Sequence, residues 1–313
     1  MDIQEKLTKE AFQETIVAEF EKVYKSPEYE IRIIDIMKVN EPNAKAICIA
    51  SDKSDLVPAV SVNRMYESYE DGMTVQDIVR DVNMGIQAER YMGKELINRM
   101  QIEFRSYPQL INAEKNEKLL KTCPHEKVAG DMAVISRVIL DKGQSFIVTN
   151  DVMTHCKMTR EEVIQVAKKN QEIQPYKLNK LDSVIRELMG EEWNNPPTND
   201  IYVLTSNNAS YGAAQMLNRV ALADASRKCG GDCYIIPSSI HEVLIMPKSM
   251  GMDVEALKGL IKEVNDTVVA DTDILSDKLY QLDHLTYRIT ESKVVNDKAV
   301  PVVEQIKKEG RIR

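Results

Sequence analysis

Apolar residues recur along the chain with two periods, and each period predicts a different kind of element. Residues 3–24 carry apolar side chains three or four positions apart, which is typical of an amphipathic helix, and Ser26-Pro27 ends the run. The same periodicity predicts further helices at residues 74–100, 159–170, 180–189, 211–228 and 253–269.

Short runs rich in β-branched residues predict strands, most of them bounded by turn residues. These runs lie at 29–39, 44–50, 56–65, 129–140, 145–149, 201–205 and 279–289. The densest run is 232–247, where two apolar segments flank a polar turn, and it predicts a buried β-hairpin at the centre of the fold.

An apolar hairpin, a short polar connection and a helix recur three times. Thr74, Thr159 and Asp253 each stand where one of these helices begins, and their side-chain oxygens suit an N-cap. Glu162 completes a capping box with Thr159. The spacing drifts, which excludes a solenoid and leaves open whether the β-β-α-like units arose by duplication or coincidence.

These elements predict an α+β protein with mostly antiparallel sheets, each covered on one face by helices. We expect two lobes divided near residue 120, an N-terminal lobe at 1–120 and a C-terminal lobe at 121–292 that carries the 232–247 hairpin. Residues 293–313 are rich in Lys and Arg, have little hydrophobic pattern, and are expected to form a frayed basic tail.

Composition narrows the classes of function. The net charge of −8 and the lack of a basic stripe in the body of the chain argue against binding to nucleic acid. No apolar run is long enough to span a bilayer, and the N-terminus lacks the pattern of a secretory signal. Five scattered cysteines do not suggest a disulfide framework. We therefore expect a cytoplasmic protein without nucleic-acid or membrane partners.

The turn of the 232–247 hairpin holds the first candidate site, with Ser238, Ser239, His241 and Glu242. A hydrolase needs a nucleophile, a base and a group that orients the base, and these residue types are all present. On a strand, however, Ser239 and His241 share a face without converging, and Glu242 points to the opposite face. The pattern therefore favours a turn with an edge histidine over a local triad.

The second candidate site is a small-residue loop between a predicted strand and a predicted helix. Such loops can hold a phosphate at a helix N-terminus, although this one matches neither the P-loop nor the dinucleotide-binding fingerprint. Tight packing of the helix on the sheet is the alternative. The candidate ligand-binding residues are Ser206, Asn207, Asn208, Ser210 and Gly212.

Two other groups of residues are weaker candidates. The pairs of Cys and His residues, at 123 and 125, 155 and 156, and 229 and 233, lack the spacing of a zinc site, so we expect no metal and no cofactor. The acidic segment 66–71, with Tyr66 and Tyr69, is either a partner surface or a loop whose rings pack on the sheet.

Several segments resemble the uncharacterised bacterial domain-of-unknown-function family 5688. The segment that resembles its signature is 234–244 with Pro247, and others lie at 58–60, 66–69, 124–125, 131–134, 146–150, 202–205, 212–214, 263–265 and 275–277. The resemblance covers roughly residues 10–290 and implies no activity, substrate, cofactor or catalytic residue.

The sequence has no complete catalytic motif, no basic patch and no metal-binding motif. This favours a non-catalytic protein that binds a protein partner or a small ligand. The alternative is a hydrolase or transferase with a site centred on His241 and Ser239. A regulatory component is a third class that the sequence leaves open.

Overall fold

The computed structural model describes residues 6–51, 59–91, 97–140, 145–189, 200–237 and 239–292. The chain divides into two compact units that are built from separate segments. One comprises Met1–Ser106, Ala113–His125 and Ile135–Val166, and the other comprises Tyr107–Asn112, Glu126–Val134 and Ala167–Arg313. The lobes divided near residue 120 stay a prediction, and Ser238 and the tail at 293–313 lie outside the described residues.

The described residues up to Tyr91 form a helix, a three-stranded antiparallel sheet and two more helices. The elements are α1 Lys9–Val23, β1 Tyr29–Lys38, β2 Glu41–Ser51, β3 Ala59–Ser61, α2 Val62–Glu70 and α3 Val75–Tyr91. Phe12, Ile16 and Phe20 of α1 are fully buried in one core with Ile47 and Ile49 of β2. The predicted helix 3–24 and the first predicted hairpin are therefore confirmed.

The strand predicted at 56–65 is present as β3 over Ala59–Ser61, and helix α2 takes the place of its remainder from Val62 and of the loop predicted at 66–71. Ser61 begins the helix, because its hydroxyl accepts the N–H of Arg64 at 3.5 Å. The rings of Tyr66 and Tyr69 pack on Phe12, with ring centroids 5.3 Å away in both cases. The tyrosines are therefore part of the core packing, and they do not form an exposed loop.

The predicted helix 74–100 corresponds to more than one element. Helix α3 ends at Tyr91, and α4 Arg99–Arg105 begins with its own N-cap, Asn98. The side chain of Asn98 and that of Gln101 form a reciprocal capping box. Residues 92–96 lie outside the described part of the chain.

The middle of the chain contributes a second antiparallel sheet and short helices. Strand β6 lies between β4 and β5, and β7 also pairs with β6, which confirms the predicted pairing of 129–140 with 145–149. The elements are β4 Ser106–Asn112, α5 Glu117–Leu120, β5 His125–Ala129, β6 Met132–Ile139, β7 Ser145–Ile147, α6 Asn150–His155 and α7 Arg160–Glu172.

The last part of the chain forms a six-stranded antiparallel sheet with the order β13-β12-β10-β11-β9-β8. A 3-10 helix at Gly212–Leu217 precedes α9, and the single strand predicted at 279–289 is in fact a pair of strands. The elements are β8 Tyr176–Lys180, α8 Leu181–Met189, β9 Tyr202–Ser206, α9 Arg219–Cys229, β10 Cys233–Ile236, β11 Glu242–Pro247, α10 Val254–Thr267, β12 Tyr280–Leu282 and β13 Ile289–Glu291.

This sheet has helices on both faces, whereas the sequence predicts them on one. Cys233 and Ile235 of β10 point to one face and are fully buried, and α9 contacts β8 and β11 of the same sheet. Tyr234 points to the other face, where it packs with Leu257 and Ile261 of α10. Strand β10 is apolar on both faces, and this explains why the 232–247 run contains so few polar positions.

The three predicted N-caps are all present. Thr74 accepts the N–H of Asp77 at 3.1 Å, Thr159 accepts that of Glu162 at 3.2 Å, and Asp253 accepts that of Ala256 at 2.8 Å. The protein is therefore an α+β protein with antiparallel sheets and capped helices, and duplication of the β-β-α-like units stays a prediction. Within the described ranges, every helix is too short or too polar to cross a bilayer.

Candidate functional site

The two candidate segments that lie far apart in sequence meet in the structure. Strands β9 and β11 pair with Thr205 opposite Glu242, so the 206–212 loop that follows β9 lies beside the residues that precede β11. The Thr205 hydroxyl donates to the His241 carbonyl at 2.7 Å, and the N–H of Ala213 donates to the Ile240 carbonyl at 3.3 Å. Backbone and side-chain hydrogen bonds thus join the two segments into one site.

His241 is held from two sides. Its Nδ1 accepts the N–H of Tyr211 at 3.2 Å, and its ring stacks on that of Tyr211 with centroids 5.7 Å apart. Its Nε2 lies 3.6 Å from Oδ1 of Asp273. Because Nδ1 is an acceptor, the neutral ring carries its proton on Nε2, facing the carboxylate. Both ring nitrogens therefore face polar groups of the protein.

His241 lies in the turn, which agrees with the edge-histidine interpretation and not with a place on the strand. Strand β11 begins at Glu242, so His241 belongs to the turn and does not share a core face with Val243 and Ile245. Its side chain is 32% exposed, whereas Val243 and Ile245 are fully buried. The histidine lies at the rim of the sheet, where its ring contacts both protein and solvent.

The hydroxyl of Ser239 forms a hydrogen bond with Glu242. It donates to Oε1 of Glu242 at 2.6 Å and accepts the backbone N–H of His241 at 3.0 Å. Ser239 is 5% exposed. The nucleophile candidate is thus bonded to a carboxylate, and the imidazole is bonded elsewhere, so the structure does not form a Ser-His pair. Glu242, as expected, does not orient the ring of His241.

Asp273 is the site residue that sequence reasoning missed. It lies in the turn after α10, and its carbonyl accepts the N–H of Ile240 at 2.8 Å while its own N–H donates to Ala270 at 2.8 Å. These backbone bonds fix the carboxylate beside His241. The only signal in the sequence is a polar Asp-Thr-Asp segment at 271–273, which indicates a turn and no particular neighbour.

The 206–212 loop is ordered by its own side chains. Oδ1 of Asn208 lies 2.8 Å from the Ser206 hydroxyl and accepts the N–H of Ser210 at 3.3 Å. Ala209 and Tyr211 have φ values of 54° and 52°, a left-handed conformation that costs a residue other than glycine of order 1–3 kcal/mol. The loop therefore holds a strained shape that its hydrogen bonds and the contact with His241 maintain.

The geometry of the loop supports the packing interpretation over phosphate binding. The N–H groups of Ala209, Tyr211 and Ala213 all donate to acceptors within the protein, so they do not point outward as a phosphate cradle. A Cβ on Gly212 would lie 2.2 Å from the Thr205 hydroxyl and 2.4 Å from the His241 carbonyl. Glycine is required here because the 3-10 helix begins directly against β9 and the turn before β11.

The other Cys and His candidates are separate. Nδ1 of His125 lies 3.0 Å from the Cys123 carbonyl, while the Cys123 thiol donates to the Leu119 carbonyl at 3.4 Å. Burial raises the pKa of Cys123 to about 11. Among the described residues, no group of three or more His, Cys, Asp and Glu side chains has the arrangement of a metal site.

A buried polar cluster around Asp131 was also missed. Oδ1 of Asp131 accepts the hydroxyls of Ser276 at 2.7 Å and Tyr280 at 2.5 Å, and its Oδ2 accepts the side-chain amide of Asn112 at 3.1 Å. All four residues are at most 6% exposed. Because the carboxylate is fully enclosed by donors, this cluster stabilises the fold and offers no open position for a ligand.

Comparisons with known proteins place the chain in a family without assigning its chemistry. A search of curated proteins and a search of solved structures each gave no match. A protein-family model matches residues 9–284, which include β9, the hairpin of β10 and β11, His241 and Asp273. The chain therefore belongs to the family of unknown function DUF5688.

Proposed function

We propose that this protein is a non-catalytic binding protein and that its recognition surface is formed by Asn207, Asn208, Ser210, His241 and Asp273, here called the His241 surface. The proposal rests on the observation that the reactive side chains, Ser239 and His241, form their contacts with other protein groups and not with each other. The Ser239 hydroxyl is bonded to Glu242, and both nitrogens of His241 face protein groups. A hydrolase that works through a Ser-His pair requires the hydroxyl and the imidazole to be bonded to each other.

The chemistry of the surface suits a polar ligand or a polar segment of a protein partner. Asn207, Asn208 and Ser210 are exposed and offer amide and hydroxyl groups, and Asp273 adds a carboxylate. The hydrogen bonds of the loop fix its shape before binding, which lowers the conformational entropy lost on association. The net charge of −8 argues for a partner other than nucleic acid.

The same proposal includes a location in the bacterial cytoplasm. All five cysteines are free thiols, which is the usual state in a reducing compartment.

Site-specific photo-crosslinking in the full-length chain tests the binding proposal. A photoreactive residue in place of Asn207 should yield one defined crosslinked adduct with a partner in cells that produce the protein. The same residue in place of the exposed Lys262 of α10 is the matched control. Asp273→Asn should reduce the adduct at 207, because it removes a charge from the surface. Identical adducts at 207 and 262, or an adduct at 207 that Asp273→Asn leaves unchanged, would contradict the proposal.

A hydrolase centred on His241 and Ser239 is the second candidate, and the meeting of His241 with the 206–212 loop and Asp273 is the observation that favours it. It requires the Ser239 hydroxyl to leave Glu242 and Nδ1 of His241 to leave Tyr211. We expect no hydrolysis of activated carboxylic or phosphate esters that depends on these residues. A fall of about a hundredfold in turnover for both Ser239→Ala and His241→Gln would establish the enzyme instead.

A further inference from the structure

Strand β1 is a long edge of the first sheet, and the proposed binding function does not involve it. It has ten residues and stands at the end of the order β1-β2-β3, so β2 is its only strand neighbour in the described part of the chain. The edge strands of the six-stranded sheet are shorter, with three residues in β13 and five in β8. A long edge presents a row of backbone N–H and C=O groups that can pair with another strand.

The first half of this edge is open, whereas the second half is interrupted. In the turn after β1, the N–H of Asn40 donates to Oδ1 of Asn116 at 2.7 Å, and Nδ2 of Asn116 donates to Oδ1 of Asn40 at 2.7 Å. The register of β1 against β2 also shifts between Ile36 and Lys38. Within the described ranges, residues 30–34 form backbone pairs with β2 alone, so they can accept a further strand.

The side chains of this open part are complementary to themselves. Glu30 and Arg32 lie on one face of the strand, where they are hydrogen-bonded to each other and are 57% and 62% exposed. Ile31 and Ile33 lie on the other face, half-buried at the margin of the core. If two copies of β1 pair in antiparallel fashion with Ile31 opposite Ile31, Glu30 of each copy lies opposite Arg32 of the other.

We propose that β1 pairs with β1 of a second copy of this chain, around a twofold axis at Ile31. Side chains opposite each other in an antiparallel pair have Cβ atoms about 4.5–5.5 Å apart, so Glu30 and Arg32 form two ion pairs between the copies. An axis at Glu30 would place two glutamates opposite each other, and an axis at Arg32 would do the same with two arginines. Like charges in these positions are unfavourable, so the sequence selects one register.

The geometry also sets the size and strength of the assembly. The same strand is used by both copies, so the contact closes as a dimer and joins the two three-stranded sheets into one of six strands. Stable interfaces bury about 1,200–2,000 Å² in total, and the pairing of one short edge buries less. We therefore expect a reversible dimer whose population depends on the protein concentration.

Analytical ultracentrifugation of the full-length chain at rising concentration tests this proposal. The average mass should rise from that of one chain towards that of two. Arg32→Glu places two carboxylates opposite each other at both contacts and should raise the dissociation constant of the dimer about tenfold. Lys45→Glu is the matched control, because it makes the same change of charge at an exposed position of β2, which lies between β1 and β3. It should leave the dissociation constant unchanged.

A mixture of two variants tests the register. Glu30→Arg alone places arginines opposite each other and should weaken the dimer as Arg32→Glu does. When the two variant chains are mixed in equal amounts, each arginine of one chain lies opposite a glutamate of the other, so the mixture should dimerise again. A mixture that stays monomeric while the unsubstituted chain dimerises would overturn the proposal, as would equal weakening by Arg32→Glu and Lys45→Glu.

Hydrogen exchange of the unsubstituted chain decides the proposal even if a variant fails to fold. Amides in residues 30–34 should exchange more slowly at a high protein concentration than at a low one, because pairing with the second copy protects them. A chain that stays monomeric at every concentration, or exchange in 30–34 that does not depend on concentration, would overturn the proposal.

Discussion

At the scale of single residues, the hydroxyl of Ser239 decides between a structural and a chemical interpretation of the turn. It is almost fully buried and connects the carboxylate of Glu242 to the backbone N–H of His241. A hydrogen bond to a charged acceptor contributes about 1.5–3 kcal/mol to stability, more than one between neutral groups. Ser239 therefore has a structural role that does not require it to react.

We predict that Ser239→Ala lowers the free energy of unfolding by about 1–3 kcal/mol, because Glu242 loses its donor and the His241 N–H loses an acceptor. Urea denaturation followed by circular dichroism measures the change. Ser210→Ala in the neighbouring loop is the control, since Ser210 is exposed and its substitution should change stability by no more than about 0.5 kcal/mol. Equal effects of the two substitutions would show that the bond to Glu242 contributes nothing.

Sequence reasoning found most of the residues at the site but not their partners. Ser239 and His241 stand out because they are reactive residue types within an apolar run, and the loop residues stand out because they are small and lie between a strand and a helix. Their hydrogen bonds depend on the register of β9 against β11, which places Thr205 opposite Glu242 and which no local pattern specifies. Asp273 was missed because it lies in an ordinary turn and reaches His241 only through tertiary packing.

At the scale of elements, the start of the 3-10 helix at Gly212 is the position that can least accept a side chain. We predict that Gly212→Ala destabilises the protein by about 1–3 kcal/mol or more, because the new Cβ would overlap the Thr205 hydroxyl, the His241 carbonyl and the Ser206 N–H. Thermal unfolding measures this loss. The Tyr211 contact with His241 should weaken as well, since Tyr211 precedes the displaced residue.

Gly259→Ala is the matched control for that substitution. Gly259 is exposed on α10, and a Cβ there would have no neighbour within 4 Å. Alanine should stabilise this helix by about 0.5–1 kcal/mol through its higher helix propensity. A Gly212→Ala protein that is as stable as the Gly259→Ala protein would mean that the 3-10 helix can move away from β9.

Elements with one dominant signal were predicted well, and elements with competing signals were not. Helix α10 has regular apolar spacing and an Asp253 cap, and both were confirmed. Helix α2 was mistaken for a strand and a loop, because Val62 continues a β-branched run and the tyrosines stand among acidic residues. Strand β4 was missed because Pro108 interrupts it, and prolines usually exclude a strand from the interior of a sheet.

At the scale of the whole molecule, the α+β class followed from the alternation of helical and strand periodicities, whereas the order of strands did not. The six-stranded sheet places β9 between β8 and β11, and β12 beside β10, an order set by how apolar faces pack together. The burial of Asp131, Ser276 and Tyr280 depends on the same assembly, since Asp131 is more than a hundred residues from the other two. Local sequence contains no information about such long-range pairs. Their hydrogen bonds contribute to the free energy of unfolding, where their effect can be measured.

The last prediction concerns stability at alkaline pH. Burial, together with the hydrogen bond to Asp131, raises the pKa of Tyr280 above its ordinary value of about 10. Below about pH 10, the tyrosine is protonated in both the folded and the unfolded chain. Above about pH 10, the unfolded chain releases this proton and the folded protein retains it, so the free energy of unfolding falls by up to about 1.4 kcal/mol per pH unit from this group.

Tyr280→Phe isolates that contribution. At neutral pH the variant should be less stable than the natural chain by about 1–3 kcal/mol, because Asp131 loses a donor and its backbone N–H loses an acceptor. The variant has no hydroxyl to ionise at this position, so its stability should fall less steeply above about pH 10, and the difference between the two proteins should narrow. Urea denaturation of both proteins at a series of pH values from about 7 to 11 measures this difference. A difference that stays constant would show that Tyr280 ionises equally in both states, which would in turn mean that the buried cluster opens to water at high pH.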